Sequence, residues 1–267
     1  MKSRHTLRLL VLAYIALLIG APLFLVFQRA FADGWSAFVA AITTPETLSS
    51  IRLTVVVAFL VTPLNLVFGI AVSHAIVRHP SRFTKLMNSI IDVPLAISPI
   101  VIGLMLELAY APNGWFGSQL AAVGWQVMFS WPGIALASAV VSLPLVVREI
   151  VPILTELGTS QEATAETLGA SPWQVFRTIT LPNIGSAALY GGTLTFARVI
   201  GEYGAVLIVS GNVALHTQTL TLNIAENFEN YMPQQGFAGA ALLAIFSIVV
   251  MIALAGIRRR ERNFHGH

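Results

Sequence analysis

Apolar and polar positions alternate along this chain in blocks, not residue by residue. Six blocks are apolar and nearly free of charge: residues 9–27, 53–77, 93–110, 127–147, 185–210 and 237–257. Each approaches the roughly 20 residues that a helix needs to cross about 30 Å of hydrocarbon. The pattern predicts an all-α, polytopic membrane protein with six transmembrane helices. Prolines punctuate it. Pro63 inside the second run predicts a kink, Pro94 and Pro99 predict an irregular start to the third, and Pro132 and Pro144 fall near the ends of the fourth. Between the runs lie a mixed loop at 28–50, a short basic loop at 78–92, a turn-rich loop at 111–126 and a longer polar stretch at 211–236. In this last stretch Ile224, Phe228 and Tyr231 share a helical face, which predicts an amphipathic segment at the outer surface. Packing of that face on the other spans is the simpler reading of the same residues.

The longest polar interruption runs over residues 161–182, QEATAETLGASPWQVFRTITLP. Helix formers from Glu162 to Leu168 end at Gly169, which suits a left-handed cap. A start signal follows at once: Ser171 at the cap, Pro172 at the first helical position and Gln174 three residues after the cap. Two short helices joined by a tight turn at Gly169-Ala170 are expected, with Pro182 stopping or kinking the second. Leu168, Trp173, Phe176 and Ile179 give the pair an apolar side. On composition alone, an ordinary hairpin packing on its own protein is the favoured reading.

Composition agrees with the blocks. Hydrophobic residues make up 56% and charged residues 10%, against about 25% charged in a soluble domain. With no cysteine, disulfides and thiolate metal sites are excluded. The first run is longer than a signal-peptide core and lacks a small-residue cleavage site, so it reads as an uncleaved span. The formal charge of +3 matters for where it lies. Lys2, Arg4, Arg8, Arg78, Arg82, Lys85, Arg148, Arg177 and the basic tail from Arg258 to Arg262 fall on one side of a six-span topology; Arg29 and Arg52 fall on the other. By the positive-inside rule both termini and the 161–182 loop are cytoplasmic.

Charge within the spans is sparse. Arg198 and Glu202, four apart, are expected to share a helix face and neutralise each other, as a functional pair or as a clamp between helices. Glu107 near the outer end of the third span reads as an acid reaching the interface or a water-filled cavity, and His74 as a snorkelling side chain. Gly191, Gly192, Gly201 and Gly204 read as sites of close helix approach. No GxxxxGK[ST], HExxH or GxSxG occurs, and the histidines do not cluster at metal-ligand spacing, so neither a P-loop nor a metal site is expected. An intramembrane enzyme or a proton-coupled secondary transporter built on Arg198, Glu202 and Glu107 would leave the capped hairpin without a purpose.

The spacing Gly169, nine residues, Ile179, one residue, Leu181-Pro182 resembles the EAA loop of ABC-importer permeases, the segment that in that family docks into a cytoplasmic ATPase. The family's Glu-Ala-Ala aligns with Ala163, Thr164 and Ala165, so here the glutamate stands one position early, at Glu162. Further segments, among them DVPLAISPIVIGL, FSWPGIALA, PLVVREIVPIL and LYGGTLTFARVIGEYGAVLIVSGN, are similar to the CysW-type permeases of sulfate and thiosulfate importers over nearly the whole chain. The resemblance implies a single type I ABC-importer permease domain over 1–267, with the coupling loop at 148–183. It implies ATPase contact through Glu162, Ala163, Thr164, Ala165, Leu168, Gly169, Ala170, Ser171, Trp173, Leu181 and Pro182, and a structural or gating role for Arg198 and Glu202. It also implies a bacterial inner-membrane location. The implied partners are a second related permease, two cytoplasmic ATPases that bind ATP and Mg, a periplasmic sulfate- or thiosulfate-binding protein and the surrounding lipid. Neither nucleic acid nor a cofactor in this chain is implied. The segment from Ala197 to Ala205 is shared in form with molybdate permeases, which would pair with themselves.

Overall fold

A computed structural model describes residues 2–264, without the side chains at 2–6, 9, 253–255 and 257–264. All regular secondary structure among the described residues is helical, as hydrocarbon demands of backbone groups that cannot turn to water. The first span comprises α1 (Lys2–Ile15), a π-helical turn (Ala16–Gly20) and α2 (Ala21–Ala30). A short helix, α3 (Trp35–Ile42), occupies part of the stretch expected to be a loop. Next, α4 (Pro45–Arg78) starts eight residues before the predicted apolar run and continues uninterrupted through Pro63. Thr44 caps it, its Oγ1 accepting the Thr47 N–H at 3.3 Å, and Pro45 fills the first position, where no donor is needed.

Residues 82–92, expected as loop, are helical, and the expected third span at 93–110 is divided between the end of that helix and a second one. After a Ser81–Thr84 capping box, α5 (Arg82–Ala96) ends at Ile97, and α6 (Pro99–Tyr110) leaves at 116° to it. Ser98 precedes a proline and takes extended geometry, which ends one helix and starts the other. A short α7 (Gly117–Ala122) precedes α8 (Trp131–Leu157), which passes through Pro144 and Pro152 and reaches ten residues beyond the predicted end of the fourth span. The polar hairpin holds α9 (Ser160–Thr167) and α10 (Pro172–Val175); a second π turn (Phe176–Thr180) leads into α11 (Leu181–Ile200). The fifth span breaks at Gly201–Tyr203, and α12 (Gly204–Ser210) continues at 58°. The chain closes with α13 (Leu220–Glu229) and α14 (Pro233–Phe264).

The core is the contact of α4, α8 and α11. Val57, Ala58 and Val61 pack with Ile134, Ala135, Val199 and Ile200, and Val206 of α12 and Leu222 of α13 close the cluster from outside. Towards the hairpin Val146, Ile150 and Leu154 meet Ile184, Ala187 and Ala188. Close approach depends on small residues: a Cβ on Gly69 would lie 2.5 Å from Val146 Cγ1, and one on Gly191 3.0 Å from Val146 Cα. Asn65 adds polar glue, its Nδ2 donating to the Ala139 carbonyl at 3.0 Å and to Ser142 Oγ at 2.9 Å. The first span stands apart, joined through Ala30, Phe38 and Ala41 to Ala238 and Ala241 of α14.

The outer polar stretch folds inward. Phe228 meets Phe237 edge-on at 5.1 Å and Ile224 lies over Gly239, so the predicted amphipathic face packs on α14. Tyr231 does not join them; it lies beyond α13 at φ 58° and is 92% exposed. The adjoining face buries Asn223 and Asn227 in a polar network that links Thr47 of α4 with Gln218.

Candidate coupling site and intramembrane charges

The 161–182 stretch forms the expected helical hairpin. Gly169 has φ +88°; its N–H donates to the Glu166 carbonyl at 2.9 Å, and the Ala170 N–H reaches back to the Ala165 carbonyl at 3.0 Å. These two bonds are the Schellman pattern, which satisfies carbonyls that a helix end leaves open. The second helix starts with a complete capping box: the Ser171 N–H donates to Gln174 Oε1 at 2.8 Å and the Gln174 N–H to Ser171 Oγ at 3.4 Å. Of the two outcomes expected at Pro182, the stop does not occur: the helix continues, with a π turn immediately before the proline. The π turn just before it widens the backbone where the proline ring would meet the carbonyl four residues back, so α10 runs through into α11.

The apolar side of the hairpin divides. Val175 is buried and Phe176 and Ile179 half-buried, with Phe176 edge-on to His74 at 5.8 Å. Leu168 and Trp173 flank the Gly169 turn at 84% and 66% exposure, with Trp173 stacked over Phe176. Ala163, Thr164, Ser171, Leu181 and Pro182 are exposed, and Ala165 and Ala170 half-buried. A Cβ on Gly169 would meet nothing within 4 Å. The hairpin tip therefore presents a large apolar pair around a glycine that faces open space.

Glu162 anchors the hairpin from behind. It forms an ion pair with Arg78 at the end of α4, with Nε to Oε2 at 2.7 Å and Nη2 donating to Oε1 at 3.2 Å. The side chains are 8% and 14% exposed. Arg78 Nη1 also donates to the Leu154 carbonyl of α8 at 3.1 Å, and Thr180 Oγ1 donates to Glu162 Oε1 at 2.7 Å. The ion pair thus joins α4, α8, α9 and the π turn, Arg78 holding α8 and Glu162 holding the π turn. The glutamate standing one position early thus makes a largely buried salt bridge. Arg78 and Thr180 were not singled out by the sequence, where Arg78 counted only as a loop cation.

Arg198 and Glu202 are brought together, although not along one helix. Gly201 ends α11, and Glu202 lies in the break with Oε2 3.0 Å from Arg198 Nη1. Its Oε1 accepts the Ala205 N–H at 3.0 Å, so the buried carboxylate also caps α12. Gly204 follows, against Pro99 and Ile100 at the start of α6. The pair thereby fixes the break in the fifth span beside the break in the third. Glu107 is half-buried near the end of α6 and joins neither residue. Among the described residues no three His, Cys, Asp or Glu side chains are grouped to hold a metal ion.

The family described as binding-protein-dependent transport system inner membrane component matches residues 65–263. The sulfate transport system permease protein CysW of Synechocystis sp. is 41% identical over 94% of this chain and 91% of its own length. CysW of Escherichia coli (strain K12) is 40% identical over 96% and 87%. CysT, the sulfate transport system permease protein from the same strain, is 32% identical over 96% and 93%. Among solved structures, a bacterial ABC transporter involved in the import of alginate superposes with a TM-score of 0.74 at 15% identity, over 97% of this chain and 94% of that one. That likeness shows the fold, which is the fold of an ABC-importer permease. The apolar blocks, the broken third and fifth spans and the capped hairpin are thus those of a multi-pass permease, and the chain belongs to the binding-protein-dependent transport system inner membrane component family, as a CysW-type member.

Proposed function

We propose that this chain is the permease subunit of an ATP-driven importer of sulfate and thiosulfate, forming half of the translocation pathway. The likeness to CysW permeases over nearly the full length of both chains carries this reading. CysT, similar at a lower level, is the model for a second, related permease chain that completes the pathway. A periplasmic binding protein delivers the dianion, and two cytoplasmic ATPases drive the cycle. The solved alginate transporter in complex with its substrate-bound periplasmic protein supports the same assembly plan. This subunit itself carries out no hydrolysis, in keeping with a sequence that lacks a phosphate-binding loop. It resides in the bacterial inner membrane with both termini and the hairpin in the cytoplasm. The exposed Leu168 and Trp173 around Gly169 supply the surface on which an ATPase pushes and pulls, and the Glu162–Arg78 anchor carries that motion to α4 and α8. The anion then passes without tight binding in the permease, selectivity residing in the binding protein.

The test is ATP-dependent uptake of labelled sulfate into proteoliposomes that hold this chain, a CysT-type partner, the ATPase and the binding protein. Uptake that is blocked by thiosulfate and indifferent to modest molybdate is expected. Molybdate uptake without any second permease would instead assign the chain to self-pairing oxyanion permeases.

A further inference from the structure

Asp92 of α5 and Arg148 of α8 form a two-pronged pair: Arg148 Nε donates to Oδ1 at 2.7 Å and Nη2 to Oδ2. Both of its side chains are open, at 54% for Arg148 and 29% for Asp92, unlike those of the Arg78–Glu162 and Arg198–Glu202 pairs. Its depth makes that exposure informative. The apolar run ends at 147 and so counts Arg148 with the cytoplasmic cations, but α8 continues to Leu157, which leaves Arg148 six residues before Leu154, about 9 Å along the helix on the membrane side of the coupling anchor. An open ion pair turned to hydrocarbon is costly, so this face of α5 and α8 turns to water or to another protein. A surface shared with a second permease chain would offer both, and there the pair would stand on the anion's route.

Both arms of the pair stand on weakened helix. Pro94 removes the N–H that would bond the Ile90 carbonyl, and α5 ends two residues later at its 116° break. Pro152 removes the N–H that would bond the carbonyl of Arg148 itself. The other two pairs are held by further bonds, Glu162 by Thr180 and Glu202 by its cap on α12. The fork of a guanidinium accepts two oxygens of a sulfate as readily as two of a carboxylate.

We propose that Asp92 masks Arg148, and that parting of α5 from α8 frees the guanidinium to take a divalent tetrahedral oxyanion in the carboxylate's place. The pair is then an inner seal and a transit site in one. Return of Asp92 expels the anion by competing for the same donors and by like-charge repulsion, so the site releases what it binds. This rests on the sulfate-import reading above.

The test uses the assembled complex in proteoliposomes, with co-purification of the subunits as the check on assembly. Asp92→Asn raises the ATP-free leak of preloaded sulfate by about tenfold or more, and the reversed pair Asp92→Arg with Arg148→Asp restores the seal. Arg148→Gln lowers ATP-driven uptake by about tenfold or more. An assembled Asp92→Asn complex that holds sulfate as tightly as wild type overturns the seal. A second readout does not depend on the ion. The chain has no cysteine of its own, so Asp92→Cys with Arg148→Cys gives one addressable thiol pair within it. Bridging by a short bifunctional thiol reagent should differ between the nucleotide-free complex and the complex trapped with ATP and vanadate. Equal bridging in both states overturns the proposal whichever oxyanion is carried, whereas wild-type uptake of molybdate in place of sulfate overturns the sulfate reading alone.

Discussion

Glu162→Gln isolates the anchor of the coupling hairpin. The substitution keeps the size and the acceptor for Thr180 Oγ1 but removes the charge that faces Arg78, whose side chain is 8% exposed. Arg78 then retains the Leu154 carbonyl and loses its counter-ion. Breaking a buried pair on one side costs about 3–5 kcal/mol, because the remaining charge is uncompensated. That cost falls on the contact between α9 and the ends of α4 and α8, so the hairpin should open about 150- to 5,000-fold more often. Hydrogen exchange at the amides of α9 in the purified complex reads this directly, and exchange across the α4–α8 core serves as the internal control. The sign is tested by removing both charges. Arg78→Met with Glu162→Leu should cost far less than either single change, since replacement of a whole buried pair by apolar side chains is often close to neutral. Unchanged α9 exchange in Glu162→Gln, or a double variant as open as the single ones, would refute the assignment of Glu162 as the anchor.

Other sites give separate outcomes. Gly169→Ala should cost about 1 kcal/mol for its positive φ and leave insertion intact, since a Cβ there meets open space, whereas Gly169→Asp should abolish uptake at normal membrane levels; uptake set against membrane yield distinguishes them. Gly103→Val would press on the Ala205 carbonyl at 2.8 Å and Ile208 Cβ at 2.9 Å, forcing α6 from α12 and lowering stability by about 1–3 kcal/mol, which thermal unfolding in detergent measures. Glu202→Gln keeps an acceptor for the Ala205 N–H, so Glu202→Leu should be less stable than Glu202→Gln by about 1 kcal/mol; equal melting would contradict the cap.

The spans were legible because hydrocarbon imposes a long apolar block on each, and the hairpin because its capping signals are local: Ser171, Pro172, Gln174 and Gly169 act within three residues of their partners. Angles were not legible. Pro94 and Pro99 announced irregularity, but the 116° between α5 and α6 depends on what they pack against. The break at Gly201–Tyr203 lay hidden in an apolar run, where Arg198 and Glu202 read as a pair on one helix and the capping of α12 by Glu202 had no separate signal. Pairings over long separations were out of reach for the same reason. Arg78 and Glu162 stand 84 positions apart and Asp92 and Arg148 stand 56 apart, and nothing local in either residue names its partner. Asn223 and Asn227, polar residues in an outer stretch, are buried because Thr47 and Gln218 satisfy them.

The most direct test of coupling through the hairpin is site-specific photocrosslinking from position 173 in the assembled complex in membranes. Trp173 is 66% exposed in the single chain and flanks the Gly169 turn, so a photoreactive residue there should form its main adduct with the ATPase subunit and lose that adduct when Gly169→Asp is added. Adducts confined to lipid or to this chain would show that the hairpin packs on its own protein and that force reaches the permease elsewhere.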